Sequence, residues 1–170
     1  MAGSFKTQAV VLRSIRFGEA DRVLHLYSAA RGRLSAIAKG ARRPRSRFGG
    51  RLEPCFRLEL VLYEGRGELA TVTAADTVDG YPRLRASGAA LGAAARACDA
   101  GLRLLDSSEP NPAAYNLLCR YLALLDGQGE ASPDEAAGLA TALSFRLKLA
   151  LAAGFAPELG SCARCGEREG

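Results

Sequence analysis

The chain has 170 residues, 48% of them apolar and 24% charged, the make-up of an ordinary globular protein and not of a disordered or collagen-like one. No uncharged run exceeds ten residues, which excludes a membrane-spanning helix of about 20 apolar residues. The stretch from Met1 to Phe17 carries Lys6, Arg13 and Arg16 and lacks the apolar core and cleavage site of a signal peptide, so a cytoplasmic protein is expected.

Residues 1–80 hold 14 Lys and Arg against 8 Asp and Glu, whereas residues 81–170 hold 9 against 10. The positive charge therefore belongs to the first half. Five cysteines are an odd number, and Cys55, Cys98 and Cys119 stand apart in apolar contexts. Free cysteine there behaves as a small core residue, and no disulfide framework is expected.

All eight Val and Ile residues fall before position 79, while 21 of the 32 alanines fall after position 80. β-Branched residues suit a pleated sheet, and Ala and Leu lose little on entering a helix. The composition thus predicts a sheet domain over 1–80 and a helical domain over 81–157, joined near Gly80, Tyr81 and Pro82, with a short segment over 158–170. Strands are predicted over 8–16, 22–28 and 33–38, the last two flanking a turn over 29–32. Leu58, Leu60 and Leu62 alternate with Arg57, Glu59, Val61 and Tyr63, the period of a half-buried strand. Glu64 to Gly67 turns that strand into another over 68–78. Five antiparallel strands of this length suit a small closed barrel, of which the OB-fold is the usual nucleic-acid binder. The fold class expected is α+β.

Three helices follow. The first, over 83–105, has weak ends and internal glycines at 88, 92 and 101. Asn111 before Pro112 caps the second, over 112–126, with Gly127 beyond it. Ser132, Pro133, Asp134 and Glu135 make a capping box for the third, over 133–153, which Gly154 ends. The stripes Tyr115, Leu118, Leu122, Leu125 and Leu139, Leu143, Leu147, Leu151 are expected to face the core.

No catalytic constellation emerges. The one histidine, His25, lies mid-strand between Leu24 and Leu26, where a barrel position is expected. There is no P-loop, dinucleotide fingerprint or nucleophile elbow. Acidic pairs such as Glu19 with Asp21 or Asp134 with Glu135 sit at a turn and a helix start, where carboxylates need no catalytic explanation. A non-enzymatic protein without nucleotide cofactor is expected.

The segment from Arg31 to Arg57 gathers nine cations against the single anion Glu53. An arginine-rich composition and a solvated loop are the plain alternative, but they do not account for such clustering. Within it, Lys39, Arg42, Arg43, Arg45, Arg47 and Arg51 flank Phe48. Guanidinium forks suit phosphate oxygens, and an aromatic ring among cations is what single-strand binding uses. Phe48 either stacks on bases or packs beneath its own loop. Arg13, Arg16, Arg31 and Arg33 extend this surface if the barrel brings them alongside.

The run Gly18-Glu19-Ala20-Asp21-Arg22, the stretches Leu34 to Pro44 and Ser46 to Pro54, then Glu109 to Pro112, Gly154 to Leu159 and Cys162-Ala163-Arg164-Cys165-Gly166 closely resemble the bacterial RecO family of recombination mediators, in the same order and over essentially the whole chain. The resemblance implies an N-terminal OB-fold, a helical domain and a zinc finger. It implies binding of single- and double-stranded DNA, annealing of complementary strands, and loading of the RecA recombinase with the partner RecR on DNA coated by single-stranded-DNA-binding protein (SSB), whose acidic C-terminal tail it recognises. It also implies that family members continue past Gly170, so a truncated chain is expected, with helical stripes partly uncovered. Structural zinc needs four ligands, and only Cys162 and Cys165 are present as a half-site. A redox C-x-x-C lacks its usual strand-to-helix setting. Candidate cations for the SSB tail are Arg96, Arg103, Arg120, Arg146 and Lys148. Two rival functions stay open: an RNA-binding OB-fold, and a protein-interaction module for acidic partner tails.

Overall fold

A computed structural model describes residues 3–67, 69–106, 108–127, 135–162 and 164–168. Five strands, β1 (Gly3–Phe17), β2 (Asp21–Ser28), β3 (Gly32–Ala38), β4 (Arg57–Glu64) and β5 (Ala70–Asp79), precede four helices, α1 (Pro82–Ala86), α2 (Gly88–Leu104), α3 (Pro112–Gly127) and α4 (Glu135–Ala152). The strands close a barrel in the order β1-β2-β3-β5-β4. Every pairing is antiparallel except β3 with β5, which is parallel at Ala36 and Ile37 against Ala70 and Thr71. That corrects the all-antiparallel expectation for a geometric reason: five strands cannot alternate direction around a closed ring, so one neighbouring pair must run the same way.

β1 is long because it serves two partners. Its first half pairs with β4 and its second half with β2, with a bulge between Val11 and Arg13. The four consecutive buried residues Ala9, Val10, Val11 and Leu12 follow from burial on both faces. Ala9 and Val11 join the barrel interior with Leu24, Leu26, Leu58, Leu60, Leu62 and Val72, whereas Val10 and Leu12 join a second core with Ala94, Ala97, Cys98, Leu118 and Leu122 of the helices. Small and large side chains together fill a barrel of this size.

The helix predicted over 83–105 is two helices. Ser87 is extended and its hydroxyl accepts from the Ala90 N–H at 3.3 Å, capping α2. Asn111 caps α3 as expected, Oδ1 accepting from the Ala114 N–H at 3.0 Å, while its Nδ2 donates to the Ala152 carbonyl at 2.7 Å. One residue thereby starts α3 and fastens the end of α4. Gly154, at φ 88, ends α4, and the capping-box residues Ser132 to Asp134 lie outside the described residues.

The stripe Tyr115, Leu118, Leu122, Leu125 is buried, but Leu139, Leu143, Leu147 and Leu151 are exposed, and α4 buries Phe145 and Leu149 instead. This corrects the expectation that the leucine stripe of α4 faces the core, and it agrees with the expectation of helical stripes partly uncovered. The helix is apolar on two faces, so spacing alone does not choose between them. The ring decides it, because Phe145 stacks on Tyr121 with centroids 4.2 Å apart. No described helix is long and apolar enough to cross a membrane.

Candidate nucleic-acid interface

The connection between β3 and β4 is wound rather than slack. Successive turns run from Gly40 O to the Arg43 N–H, Arg43 O to the Ser46 N–H, Ser46 O to the Gly49 N–H and Phe48 O to the Arg51 N–H. Gly40 and Gly49 take positive φ values of 67 and 54, which a side chain would oppose. Ala41, Phe48 and Leu52 enter the barrel core. The loop is also tied to the β1–β2 turn: the Gly40 N–H donates to Asp21 Oδ1 at 2.7 Å, the Arg42 N–H to the Ala20 carbonyl at 2.8 Å, and the Arg42 guanidinium to the Gly18 carbonyl at 3.2 Å.

Three apolar anchors inward leave the intervening cations outward. Lys39, Arg42, Arg43, Arg45, Arg47 and Arg51 are all exposed, and among the described residues none of them holds an ion pair. Glu53, the one acid of the stretch, is paired with Arg22 at 2.8 Å. Crowded like charges without counter-charges raise the energy of the free protein, and a bound polyanion relieves them. Arg47 and Arg51 are partly engaged, donating to the Val72 and Ala75 carbonyls of β5 at 3.4 and 3.3 Å. They brace the loop against the strand.

Phe48 is only 1% exposed, so of its two readings the packed one holds, and base stacking on its ring is corrected. The sequence misleads because a loop residue among arginines looks stranded, whereas the barrel end needs a plug. Arg47 lies over the ring at 4.9 Å from its centroid, a cation–π contact on the covered side.

Arg13 and Arg33, unlike the loop cations, face acidic partners. Arg13 faces Asp99 at 3.5 Å; Arg33 is held by Asp106 at 2.7 Å and by the Leu102 carbonyl at 3.0 Å. Those acceptors lie in the last turns of α2 and just past it, where the helix dipole favours cations. Arg31 is likewise paired with Glu64 at 2.6 Å. These residues join barrel to helix or strand to strand. Arg16 stays exposed, with no ion pair among the described residues.

An aromatic group is available elsewhere. The register opposes Arg13 to His25, Ile15 to Val23 and Phe17 to Asp21, and further across His25 to Ser35 and Val23 to Ile37. These residues form the outer face of β1, β2 and β3, where Ile15 is 42% and Phe17 55% exposed. Phe17 directly precedes Gly18, whose carbonyl receives Arg42, so the residue adjoins the turn to which the cationic loop is tied. His25 lies on this outer face and not inside the barrel, Nδ1 3.1 Å from Ser35 Oγ. Burial, and then the charges of Arg33 and Arg13, lower its pKa, leaving a neutral imidazole at neutral pH. The face can stack bases beside a loop that holds phosphates.

Residues 1–81 match the family described as Recombination protein O N terminal, and residues 85–170 match Recombination protein O C terminal. The chain belongs to the recombination protein O family. It is similar to the DNA repair protein RecO of Rubrobacter xylanophilus, 43% identical over 162 residues, and to that of Anaeromyxobacter dehalogenans, 38% identical over 162 residues. Each comparison covers 95% of this chain, which spans 62% and 61% of those relatives' lengths. The RecO of Bifidobacterium animalis is 37% identical over 167 residues, covering 97% of this chain and 67% of its own.

The sequence offers two further candidate features. Cys162 and Cys165 lie on a tight turn closed by bonds from the Gly166 N–H to the Cys162 carbonyl at 2.8 Å and from the Cys162 N–H to the Glu167 carbonyl at 2.7 Å. Main-chain donors at Cys165 and Arg164 lower the Cys162 thiol, which suits metal ligation. No cluster of three or more metal-ligating side chains occurs among the described residues, and two thiols are half of the four ligands that a structural zinc takes.

Of the five candidate tail-binding cations, Arg120 and Lys148 border one groove between α3 and α4, a cavity of about 760 Å³ also lined by Leu117, Tyr121, Leu124 and Phe145. Arg96 and Arg146 lie around the other side of Phe145, and Arg103 is paired with Asp99.

Proposed function

We propose that this chain is the DNA-engaging part of a mediator of recombinational repair, acting without catalysis and without a nucleotide cofactor. The closed order β1-β2-β3-β5-β4 supports reading the barrel as an OB-fold. The observation that carries the proposal is the loop whose six exposed cations, Lys39 to Arg51, lack counter-charges while its apolar anchors hold it rigid at the rim of the Phe17 face. Single- and double-stranded DNA both present the phosphates that such a loop engages. Annealing follows from the same charge, since two strands repel through their phosphates and a cationic loop lowers that cost. Loading of RecA with RecR on SSB-coated DNA is the process this activity serves.

Fluorescence anisotropy of labelled single-stranded oligonucleotide across a salt series tests the reading. With about six phosphates engaged, log K is expected to fall against log salt with a slope of roughly −4. A slope near zero sinks it, and stronger competition by RNA than by DNA of equal length turns it into the RNA-binding alternative.

The α3–α4 groove is our proposed seat for the SSB tail. Its two cations and apolar lining suit an acidic peptide whose carboxylates meet Arg120 and Lys148 while its apolar side chains lie against the groove. Binding of such a peptide is expected to weaken at least tenfold in the Arg120→Glu, Lys148→Glu double variant, as is usual when charges across an interface are reversed. Unchanged peptide affinity by calorimetry places the tail elsewhere.

A further inference from the structure

Two cysteines that lie 43 positions apart meet in the second core: Cys55 Sγ and Cys98 Sγ are 3.6 Å apart, and both residues are buried. Cys55 ends the cationic loop, and Cys98 lies mid-way along α2. We propose that the pair is a peroxide-oxidisable site, and that the resulting disulfide fastens the foot of the loop to α2. The basis is the local geometry. Cys55 holds a φ of 70, one of two non-glycine residues with positive φ among those described. Its backbone is clamped to β1, the Cys55 N–H donating to the Val11 carbonyl at 2.8 Å and the Val11 N–H to the Phe56 carbonyl at 2.9 Å. A residue in the left-handed region persists only where its surroundings over-determine it, and here they set its sulfur against the sulfur of α2.

The two thiols are also unlike. The contact with Cys98, and then the charge of Arg85, lower the Cys55 thiol against its burial, whereas the same contact and burial hold Cys98 up. Arg85 is itself fixed, donating to the Pro54 carbonyl at 2.7 Å and the Gly80 carbonyl at 2.8 Å, with the Phe56 ring 3.8 Å beneath it. The pair therefore holds one sulfur that ionises more readily than the other.

The chemistry balances with hydrogen peroxide as oxidant. The Cys55 thiolate attacks one peroxide oxygen, the O–O bond breaks, and the sulfenic acid forms as hydroxide leaves and takes up a proton to become water. The Cys98 sulfur then attacks the sulfenic sulfur. The S–S bond forms, the S–O bond breaks, and the thiol proton leaves with the hydroxyl as a second water. Two electrons pass from the sulfur pair to the peroxide. A disulfide bond is about 2 Å long, so the two sulfurs must approach by about 1.6 Å from their present contact of 3.6 Å.

Trypsin separates the five cysteines, because Cys55 falls in the peptide Leu52 to Arg57 and Cys98 in Ala97 to Arg103, each with no other cysteine. After peroxide treatment of the intact folded chain, mass spectrometry is expected to find these two peptides joined, and dithiothreitol to separate them. The melting temperature should rise by roughly 5 to 10 °C on oxidation, since the cross-link restricts the unfolded chain. Cys98→Ala should remove both effects. Peroxide that has fully oxidised the exposed Cys162 and Cys165 while leaving Cys55 and Cys98 as free thiols overturns the proposal. The peptide map of the unaltered chain alone decides this, even if the variant folds poorly.

Discussion

A variant carrying Lys39→Gln, Arg42→Gln, Arg43→Gln and Arg45→Gln is expected to bind single-stranded DNA roughly 500-fold more weakly at 0.1 M salt than the unaltered chain. Each cation that displaces a condensed counterion from a single strand contributes about 0.7 to the salt slope, and so about 0.7 logarithmic units of affinity at that salt. Four such losses therefore also flatten the slope by about 3. These positions are chosen because their charges lack acidic partners and none of the four braces β5; Arg42 does donate to the Gly18 carbonyl, but the main-chain N–H groups of Gly40 and Arg42 keep the loop tied to that turn without it. Arg47 and Arg51 are spared because their guanidinium groups donate to the Val72 and Ala75 carbonyls, and replacing them would mix loosening of the loop with loss of charge. The anchors Ala41, Phe48 and Leu52 are untouched, so the melting temperature should hold or rise as like-charge repulsion is removed. A fall in affinity below tenfold with an unchanged slope would place the DNA on another surface.

Arg31→Gln and Arg33→Gln make the matching control. Their charges are paired with Glu64 and Asp106, so the same two-charge change there should move the salt slope far less than two changes in the loop.

That contrast marks where the sequence is legible and where it is not. The strands and the α3 cap are written locally: Leu58, Leu60 and Leu62 alternate within one short stretch, and Asn111 stands beside Pro112. Arg33 and Asp106 lie 73 positions apart, and nothing near either names the other. The outer face was hidden by a single residue. Ala9 and Val11 point into the barrel, and unbroken alternation from them would carry Ile15 and Phe17 inward too, as their apolar character suggests. The bulge between Val11 and Arg13 inserts one residue and reverses the parity, so the same side chains emerge beside Arg13 and His25. Phe48 fails in the opposite sense, because its neighbours are polar and its burial comes from strands distant in sequence.

The two phenylalanines should therefore exchange the roles that sequence position suggests. Phe48→Ala removes a ring from the barrel core and is expected to cost about 3 to 5 kcal/mol of folding stability. DNA binding should weaken only as the loop it anchors loosens or the chain unfolds, and Phe48→Leu should recover most of it, since an aliphatic plug fills the barrel but offers bases no ring. Phe17→Ala should leave stability within about 0.5 kcal/mol, as expected for an exposed position. It should nonetheless weaken single-stranded DNA by about 1 to 3 kcal/mol, the usual worth of one base stacked on an aromatic side chain. Stacking releases no condensed ions, so the salt slope of the Phe17 variant should match that of the unaltered chain, and Phe17→Leu should fail to restore affinity where Phe17→Tyr succeeds. If Phe17→Ala binds normally while Phe48→Leu does not, the ring that meets DNA is the buried one, and the loop must open by drawing Phe48 out of a core it closes at 1% exposure.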